Sequence, residues 1–455
     1  MVKYSMDLSS ISTIIIGLGK TGLSVARYLK RQNKPFAVCD TRTKFAGIAQ
    51  FRQSFPEVPI FCGPLDENLL QQAQQLIVSP GIAIDLPAIS AAAKAGVEVI
   101  GDIELFARAV EQPVIAITGS NGKTTVTTLV TEMAQAANLQ VGMGGNIGTP
   151  VLDLLTQHYD LFVLELSSFQ LETTYSLQTV AAVNLNISDD HLDRYSSLIT
   201  YAAAKHKIYQ QAKTAVLNLD DPLAWEQADI SGNCIGFTLN ANKVKQFKNV
   251  TAFFTVKNDQ IICNQELWLP VKALRLQTRH QLANILASFA LGYAVKFPQS
   301  AMLPVATSFA GLPHRCQEIM FADHIIWLND SKATNVGAAL AAINSVGQTI
   351  TGKIILIAGG DGKSANFSPL APSVTKFCRM VILLGKDAVQ LAASLNHQTE
   401  IQYVQNLTEA VVLAKRFAKA GDAVLLSPAC SSLDMFVSYA ARGEQFVDAV
   451  KKILE

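Results

Sequence analysis

Charge of one sign is missing from this sequence. Its 37 Lys and Arg offset 36 Asp and Glu, leaving a formal net charge of +1 with no basic block. Nothing electrostatic therefore favours a nucleic-acid partner or a membrane surface. Cysteine is sparse: the seven present are scattered, odd in number and never spaced Cys-x-x-Cys. That argues against a disulfide framework or a structural zinc and suits a reducing compartment. No apolar run approaches the ~18–20 residues of a membrane span. The first residues, with Asp7 and several serines, lack the core of a secretory signal. The expectation is a soluble cytoplasmic enzyme that works as a monomer.

Apolar patterning is abundant. With 455 residues, 49% hydrophobic and 16% charged, the chain is well packed and too long for one ordinary core, so about three domains are expected. Short apolar runs alternate with helical patterns almost throughout, the mark of α/β units on parallel sheets. The strand-like runs are Thr13–Ile16, Phe36–Cys39 and Leu76–Val78, then Leu161–Leu164, Val180–Ile187 and Thr214–Leu219. Beyond them come Ile325–Leu328, Lys353–Ala358, Met380–Leu384 and Ala423–Leu426. Interruptions near Gly101–Pro113 and Gly311–Arg315 divide the chain into 1–102, 103–310 and 311–455. Hinges near Gly311–Pro313 would let the third part close over a ligand.

Chemistry concentrates where apolar strands end. Val114–Ile117 runs into Thr118-Gly119-Ser120-Asn121-Gly122-Lys123-Thr124-Thr125, and a helix with Val126, Leu129, Val130, Met133, Ala134 and Ala137 on one face follows. Such a turn aims backbone N–H groups and a helix N-terminus at an anion, with Lys123 adding charge and Thr124 a hydroxyl for Mg²⁺. It is a shortened phosphate loop, because Ile117 stands where the standard pattern has its first glycine. Gly17-Leu18-Gly19-Lys20-Thr21-Gly22, with Asp40 closing the next strand, has a dinucleotide-fold layout. A nucleotide or diphosphate on this helix N-terminus is a better expectation than nicotinamide.

Other strand ends carry further candidates. Glu165 can hold Mg²⁺ or cap the next helix, and His191, in Asp189–Arg194, is a metal ligand or a structural histidine. Lys205 reads from composition as a solvated helix lysine, and Asn146 as a turn residue with a possible ligand contact. Ser79–Ile82 forms another strand-end loop. Asp330–Asn335, Gly359–Ser364 and Ser427–Ser432 each follow an apolar strand, suggesting an anionic ligand in the third region, with plain turns as the alternative.

Together these segments resemble the Mur ligases, ATP-dependent amide-forming enzymes of peptidoglycan precursor synthesis, over essentially the whole chain. Thr118–Thr125 is similar to the family's ATP loop, Glu165–Ser168 to its magnesium segment and Asp190–Arg194 to its histidine segment. Gly17–Gly22 with Asp40–Arg42, Gly311–Arg315, Asp330–Asn335 and Ser427–Phe436 point to the branch that adds D-glutamate. The resemblance implies an N-terminal Rossmann-like domain, a central P-loop-type ATPase domain and a C-terminal Rossmann-like domain. It implies UDP-N-acetylmuramoyl-L-alanine, D-glutamate and ATP as substrates, with two Mg²⁺ ions.

It also implies residue roles. Gly17, Leu18, Gly19, Thr21, Gly22, Asp40, Thr41, Arg42, Ser79, Gly81 and Asn146 would hold the UDP substrate. Gly119, Ser120, Asn121, Gly122, Lys123, Thr124, Thr125, Asn284, Arg315 and Asp330 would hold ATP. Thr124, Glu165, His191 and Lys205, the last as a carbamate, would hold the metal, and Lys123, Glu165, His191 and Lys205 would carry catalysis. Lys332, Thr334, Lys363, Ser432, Leu433 and Tyr439 match the D-glutamate pocket. The chain departs from the family at His280-Gln281, where His-Asn is usual, and at Tyr439, where phenylalanine is. Asn284 is therefore the expected adenine contact, not Gln281.

Overall fold

A computed structural model describes residues 12–454 apart from 46, 192, 193, 247–249 and 396–398. Leu192 and Asp193 of the histidine segment thus lie outside the described residues. The described chain forms three sheets, each with helices against it. The first contains β1 (Thr13–Ile16), β2 (Phe36–Asp40), β3 (Ile60–Cys62), β4 (Gln75–Val78) and β5 (Glu98–Ile100), parallel in the order β3-β2-β1-β4-β5. Both faces of β1 and β2 are buried, which is why they read as continuous apolar runs rather than alternating ones. The order reverses at β1, so the crevice beyond its end receives Gly17–Gly22.

The second sheet contains β6 (Val114–Thr118), β7 (Val141–Gly145), β8 (Leu161–Glu165), β9 (Ala181–Asn184), β10 (Thr214–Asn218), β11 (Asn233–Thr238), β12 (Ala252–Lys257), β13 (Gln260–Cys263) and β14 (Glu266–Pro270). Its order is β14-β13-β12-β11-β10-β9-β6-β8-β7, with antiparallel pairing at β12–β13–β14 and parallel pairing elsewhere. The two hairpins are not anticipated by alternating apolar runs and helices. Their signal is local: Asn258-Asp259 and Asn264-Gln265 all take positive φ, the geometry of tight hairpin turns. Helix Lys123–Ala136 buries Val126, Leu129, Val130, Met133 and Ala134 as its period requires, and Ala137 is its C-cap. The strand expected over Val180–Ile187 ends at Asn184, where the chain leaves the sheet to lace the phosphate loop.

The third sheet contains β15 (Gln317–Ala322), β16 (Ile325–Asn329), β17 (Ile354–Ala358), β18 (Cys378–Leu383), β19 (Glu400–Tyr403) and β20 (Ala423–Leu426). It is ordered β15-β16-β20-β17-β18-β19, with only β15 antiparallel. The three loops singled out in this region leave the C-terminal ends of adjacent strands β16, β20 and β17, so topology alone gathers them.

Candidate active site

The phosphate loop is held from behind. Gly119 and Gly122 take φ of +147° and +86°, conformations open to glycine at little cost. Ser120 N–H donates to the Asn186 carbonyl at 2.8 Å, and Asn121 N–H to Asn186 Oδ1 at 2.9 Å. Asn186 Nδ2 returns a bond to the Asn121 carbonyl at 3.0 Å, and Ser120 Oγ donates to the Ser188 carbonyl at 3.1 Å. The first helical turn, with Lys123, Thr124 and Thr125, keeps the outward amides that every helix start leaves without intrahelical partners. Lys123 Nζ bonds the carbonyls of Gly119 (2.7 Å) and Ser120 (3.0 Å). Burial lowers its pKa, against the opposing charges of Glu165 and Asp190.

Glu165 closes β8, two strands from β9 and directly beside β6. Its side chain is 1% exposed; Oε1 accepts from Asn146 Nδ2 at 2.8 Å, while Oε2 is buried without a partner among the described residues. Asn146 also donates its backbone N–H to the Glu165 carbonyl at 2.8 Å, so it bridges the ends of β7 and β8. His191, at φ +55°, packs its ring edge-to-face against Phe169 at 4.8 Å.

Lys205 corrects the compositional reading. It is not a solvated lysine: it is 1% exposed, and Nζ donates to Thr118 Oγ1 (3.2 Å) and the Gly119 carbonyl (3.0 Å), directly behind the phosphate loop. Burial, with the Lys123 charge next, drives its pKa well below the ordinary lysine value. Helix Leu198–His206 turns this face inward, burying Tyr201, Ala202 and Lys205 together.

An acid without a motif role of its own joins the two sides of the site. Asp190 accepts from Lys363 Nζ at 3.3 Å, from Asn335 Nδ2 at 3.2 Å and from the His191 N–H at 3.0 Å. Burial alone would raise its pKa, but His191, Lys363 and Lys123 outweigh that and hold it low. Asn335 also reaches Asn121 Oδ1 at 3.3 Å, so the third sheet's loops touch both the phosphate loop and the histidine segment.

A cavity of about 170 Å³ lies at this junction. Asn121, Gly122, Thr125, Asn284, Arg315 and Asp330, all among the expected ATP residues, line it. Gln281, set aside on sequence, lines it too, with Oε1 bonded to Thr278 Oγ1 at 2.7 Å. Asp330 accepts from Ser427 Oγ (2.8 Å) and the Cys316 N–H (3.1 Å), and burial pushes its carboxyl up to about 7. Lys332 lies over the Tyr439 ring at 3.9 Å, and burial beside Arg315 brings its amine down to about 8. Thr334 follows in the same turn, Ser432 is buried, and Leu433 is 72% exposed.

In the first sheet's crevice, Asp40 organises the glycine loop. Its carboxylate accepts from Leu18 N–H (2.8 Å), Arg42 N–H (2.9 Å) and both Arg42 Nε and Nη2 (2.8 Å each). Burial would raise its pKa, yet the Arg42 guanidinium brings it to about 2. Ser79 Oγ supports the loop by donating to the Gly17 carbonyl at 2.9 Å. Gly22 has no alternative, since a Cβ there would sit 2.0 Å from that same carbonyl. Gly19 caps the helix that contains Thr21, while Thr41 and Gly81 are exposed at the rim. Arg194 ties this crevice to the histidine segment, bonding the carbonyls of Pro80 and Ile82 at 3.3 Å each and Glu172 at 3.0 Å.

Three family models match along the chain: the Mur ligase MurD-like N-terminal domain over residues 11–101, the Mur ligase middle domain over 117–292, and the Mur ligase glutamate ligase domain over 314–430. A protein of Marinobacter nauticus named UDP-N-acetylmuramoylalanine–D-glutamate ligase is 49% identical, covering 97% of this chain and 98% of its own. One of the same name from Pseudomonas aeruginosa is 47% identical over 99% of this chain and 100% of its own. Among solved structures, a pseudomurein peptide ligase type C from Methanothermus fervidus shares the fold, with a TM-score of 0.62 at 20% identity, covering 97% of this chain and 100% of that one. No helix among the described residues is long and apolar enough to cross a membrane. With matches to all three domain models and near full-length relatives approaching half identity, the chain belongs to the Mur ligase family.

Proposed function

We propose that this chain joins D-glutamate to UDP-N-acetylmuramoyl-L-alanine, converting ATP to ADP and phosphate, in the cytoplasmic assembly of peptidoglycan precursors. The carrying observation is that the phosphate loop, the histidine segment and the third sheet's loops meet at one place: Asp190 accepts from Lys363 and Asn335, Asn335 reaches Asn121, and Gly122, Asn284 and Arg315 line the adjoining cavity. The work would divide among residues 1–102 for the UDP moiety, 103–310 for ATP and 311–455 for the amino acid.

A carboxylate is a poor electrophile near neutral pH. Transfer of the γ-phosphoryl group from ATP to the alanyl carboxylate gives an acyl phosphate. The amine of D-glutamate then attacks the carbonyl carbon, and the C–O bond to phosphate breaks. The difficulty is bringing anions together, and the loop amides with Lys123 answer charge as it develops. Arg315, Asp330 and Asn284 would orient the nucleotide, while Lys332 and Lys363 would hold the carboxylates of D-glutamate.

The donor set suits Mg²⁺. Glu165 Oε2 is a buried acceptor with no partner among the described residues, and the burial that lowers the Lys205 pKa favours the uncharged amine, the form that adds carbon dioxide to give a carbamate. Among the described residues no three His, Cys, Asp or Glu side chains form a cage of their own. Thr124, Glu165, His191 and carbamylated Lys205 would therefore share two ions with ligand oxygens. Bound there, Mg²⁺ would neutralise phosphate charge during transfer.

Phosphate release with ATP, Mg²⁺ and UDP-N-acetylmuramoyl-L-alanine, against D-glutamate, L-glutamate, L-alanine, L-lysine and meso-diaminopimelate, tests the reading. Turnover with D-glutamate alone is expected. Turnover with another amino acid would keep the ligase chemistry and overturn the substrate.

A further inference from the structure

The last helix, Tyr439–Leu454, carries a cation in its first turn, Arg442, where a helix dipole favours an anion. The residue is 2% exposed. All of its side-chain hydrogen bonds end on neutral oxygens. Nε donates to Ser331 Oγ at 2.9 Å and Nη2 to the Ser331 carbonyl at 2.8 Å, while Nη1 and Nη2 both reach the Cys430 carbonyl at 3.2 Å. Among the described residues no carboxylate forms an ion pair with it. Asp434 and Asp330 act on it only at longer range, and Asp330 is itself pushed toward its neutral form. A guanidinium buried on neutral partners, with no ion-paired carboxylate among the described residues, costs stability that its hydrogen bonds only partly offset.

Its acceptors show what the charge is for. Ser331 precedes Lys332, and its Oγ donates to the Tyr439 carbonyl at 2.8 Å. Cys430 precedes Ser431 and Ser432, and Ser431 exchanges two backbone bonds with Asp361 (3.1 and 2.8 Å), two residues before Lys363. One planar fork therefore spaces two of the loops that carry Lys332, Ser432 and Lys363, and through Ser431 fixes the third. An ammonium cannot span the Ser331 and Cys430 positions in that way.

We propose, on the D-glutamate reading above, that Arg442 is a positioning residue of the amino-acid site: it sets the spacing of its loops and supplies a cation that the substrate's carboxylates complete. Arg442→Lys keeps the charge and loses the fork; Arg442→Met loses both. Steady-state kinetics on the full chain should show the D-glutamate KM rising about tenfold in Arg442→Lys and about a hundredfold in Arg442→Met. The KM values for ATP and UDP-N-acetylmuramoyl-L-alanine should stay within about twofold of wild type.

A D-glutamate KM unchanged in Arg442→Lys would overturn the proposal. So would a parallel rise in all three KM values, or a fall in kcat with every KM intact, since each describes a merely structural residue. If Arg442→Met does not fold, Arg442→Lys decides, with its melting temperature confirming a native fold. Wild-type turnover with D-glutamate is the control. Its absence sinks the substrate reading, whereas normal wild-type turnover beside an unaffected variant sinks this one alone.

Discussion

Substituting Lys205 separates what this residue does for the fold from what it does for the reaction. Its amine donates to Thr118 Oγ1 and the Gly119 carbonyl, and neither group depends on it. Thr118 Oγ1 donates to the Leu166 carbonyl at 2.7 Å, and Lys123 Nζ bonds the Gly119 carbonyl at 2.7 Å. Arg or Lys buried with depressed pKa is penalised at neutral pH: Lys205 binds fewer protons folded than unfolded, so its contribution to stability rises with pH between its folded and unfolded values and is lost as pH falls through that window. Lys205→Met fills the space without the amine. Losing two neutral-acceptor hydrogen bonds costs at most about 1–2 kcal/mol, and relief of the buried amine offsets it. The melting temperature at pH 7 should therefore equal or exceed wild type.

Activity should respond in the opposite direction. If a carbamate on Lys205 supplies an oxygen anion to the metal, its loss removes preorganised charge stabilisation of the kind that costs roughly 10²–10³ in kcat, or about 3–4 kcal/mol. Lys205→Ala should lose that much in phosphate release and regain part of it with added acetate or formate. Lys205→Arg, which cannot form the carbamate, should be dead with and without the acid. Full activity in Lys205→Ala or Lys205→Arg would refute the argument. So would a destabilised Lys205→Met, because the amine would then be a structural strut.

Four other outcomes are expected. Lys123→Ala should lower ATP turnover at least about 10³-fold, and substantial retained turnover would remove the phosphate-loop assignment. Gly22→Ala, whose Cβ would fall 2.0 Å from the Gly17 carbonyl, should cost more than about 2 kcal/mol by denaturant melt and raise the UDP-substrate KM; wild-type values would show that the loop yields. Asp330 has a carboxyl raised from 3.8 to about 7, so the folded state binds its proton more tightly and its contribution to stability declines as pH rises from about 4 to 7. The melting-temperature advantage of wild type over Asp330→Asn should shrink across that window; a pH-independent difference would mean an ionised Asp330. Lys332→Ala and Lys363→Ala should each raise the amino-acid KM about tenfold or more while moving that of ATP much less; an unchanged value puts that lysine outside the pocket.

The legible features are those whose cause is local. Glycines at positive φ, a helical period of apolar residues and acids at the ends of buried strands all act over a few positions, so the phosphate loop and the crevice at Gly17–Gly22 were visible in the chain. The burial of Lys205 has no such local signal, because the groups its amine bonds lie 86 and 87 residues away in sequence, and only the family resemblance singles it out. Asp190 was hidden for the same reason, with partners 145 and 173 residues distant. The β12–β14 hairpins fall outside the expected pattern because the edge of the sheet abandons strand–helix alternation for antiparallel pairing. Asp40 illustrates a subtler gap: its position announces a ligand acid, while its oxygens accept from Leu18 and Arg42, a role in shaping the glycine loop that the position alone does not announce.

The long-range contacts also bear on why the proposed chemistry would sit between domains. On that reading three anionic groups would meet there: triphosphate, alanyl carboxylate and amino-acid carboxylates. Cations gathered on one rigid surface would repel one another at all times. Here they are divided, with Lys123 and Lys205 behind the phosphate loop and Arg315, Lys332, Lys363 and Arg442 on the third sheet's side. Burial lowers the proton affinity of Lys123, Lys205 and Lys332, while Asp190 accepts Lys363 across the junction at 3.3 Å. The protein thus limits its own charge repulsion by loosening the hold of some groups on their protons and pairing others. Anionic ligands bringing negative charge to these same groups would let the two sides hold full charge at close range, so that assembly of the site and binding of its substrates would be the same electrostatic event.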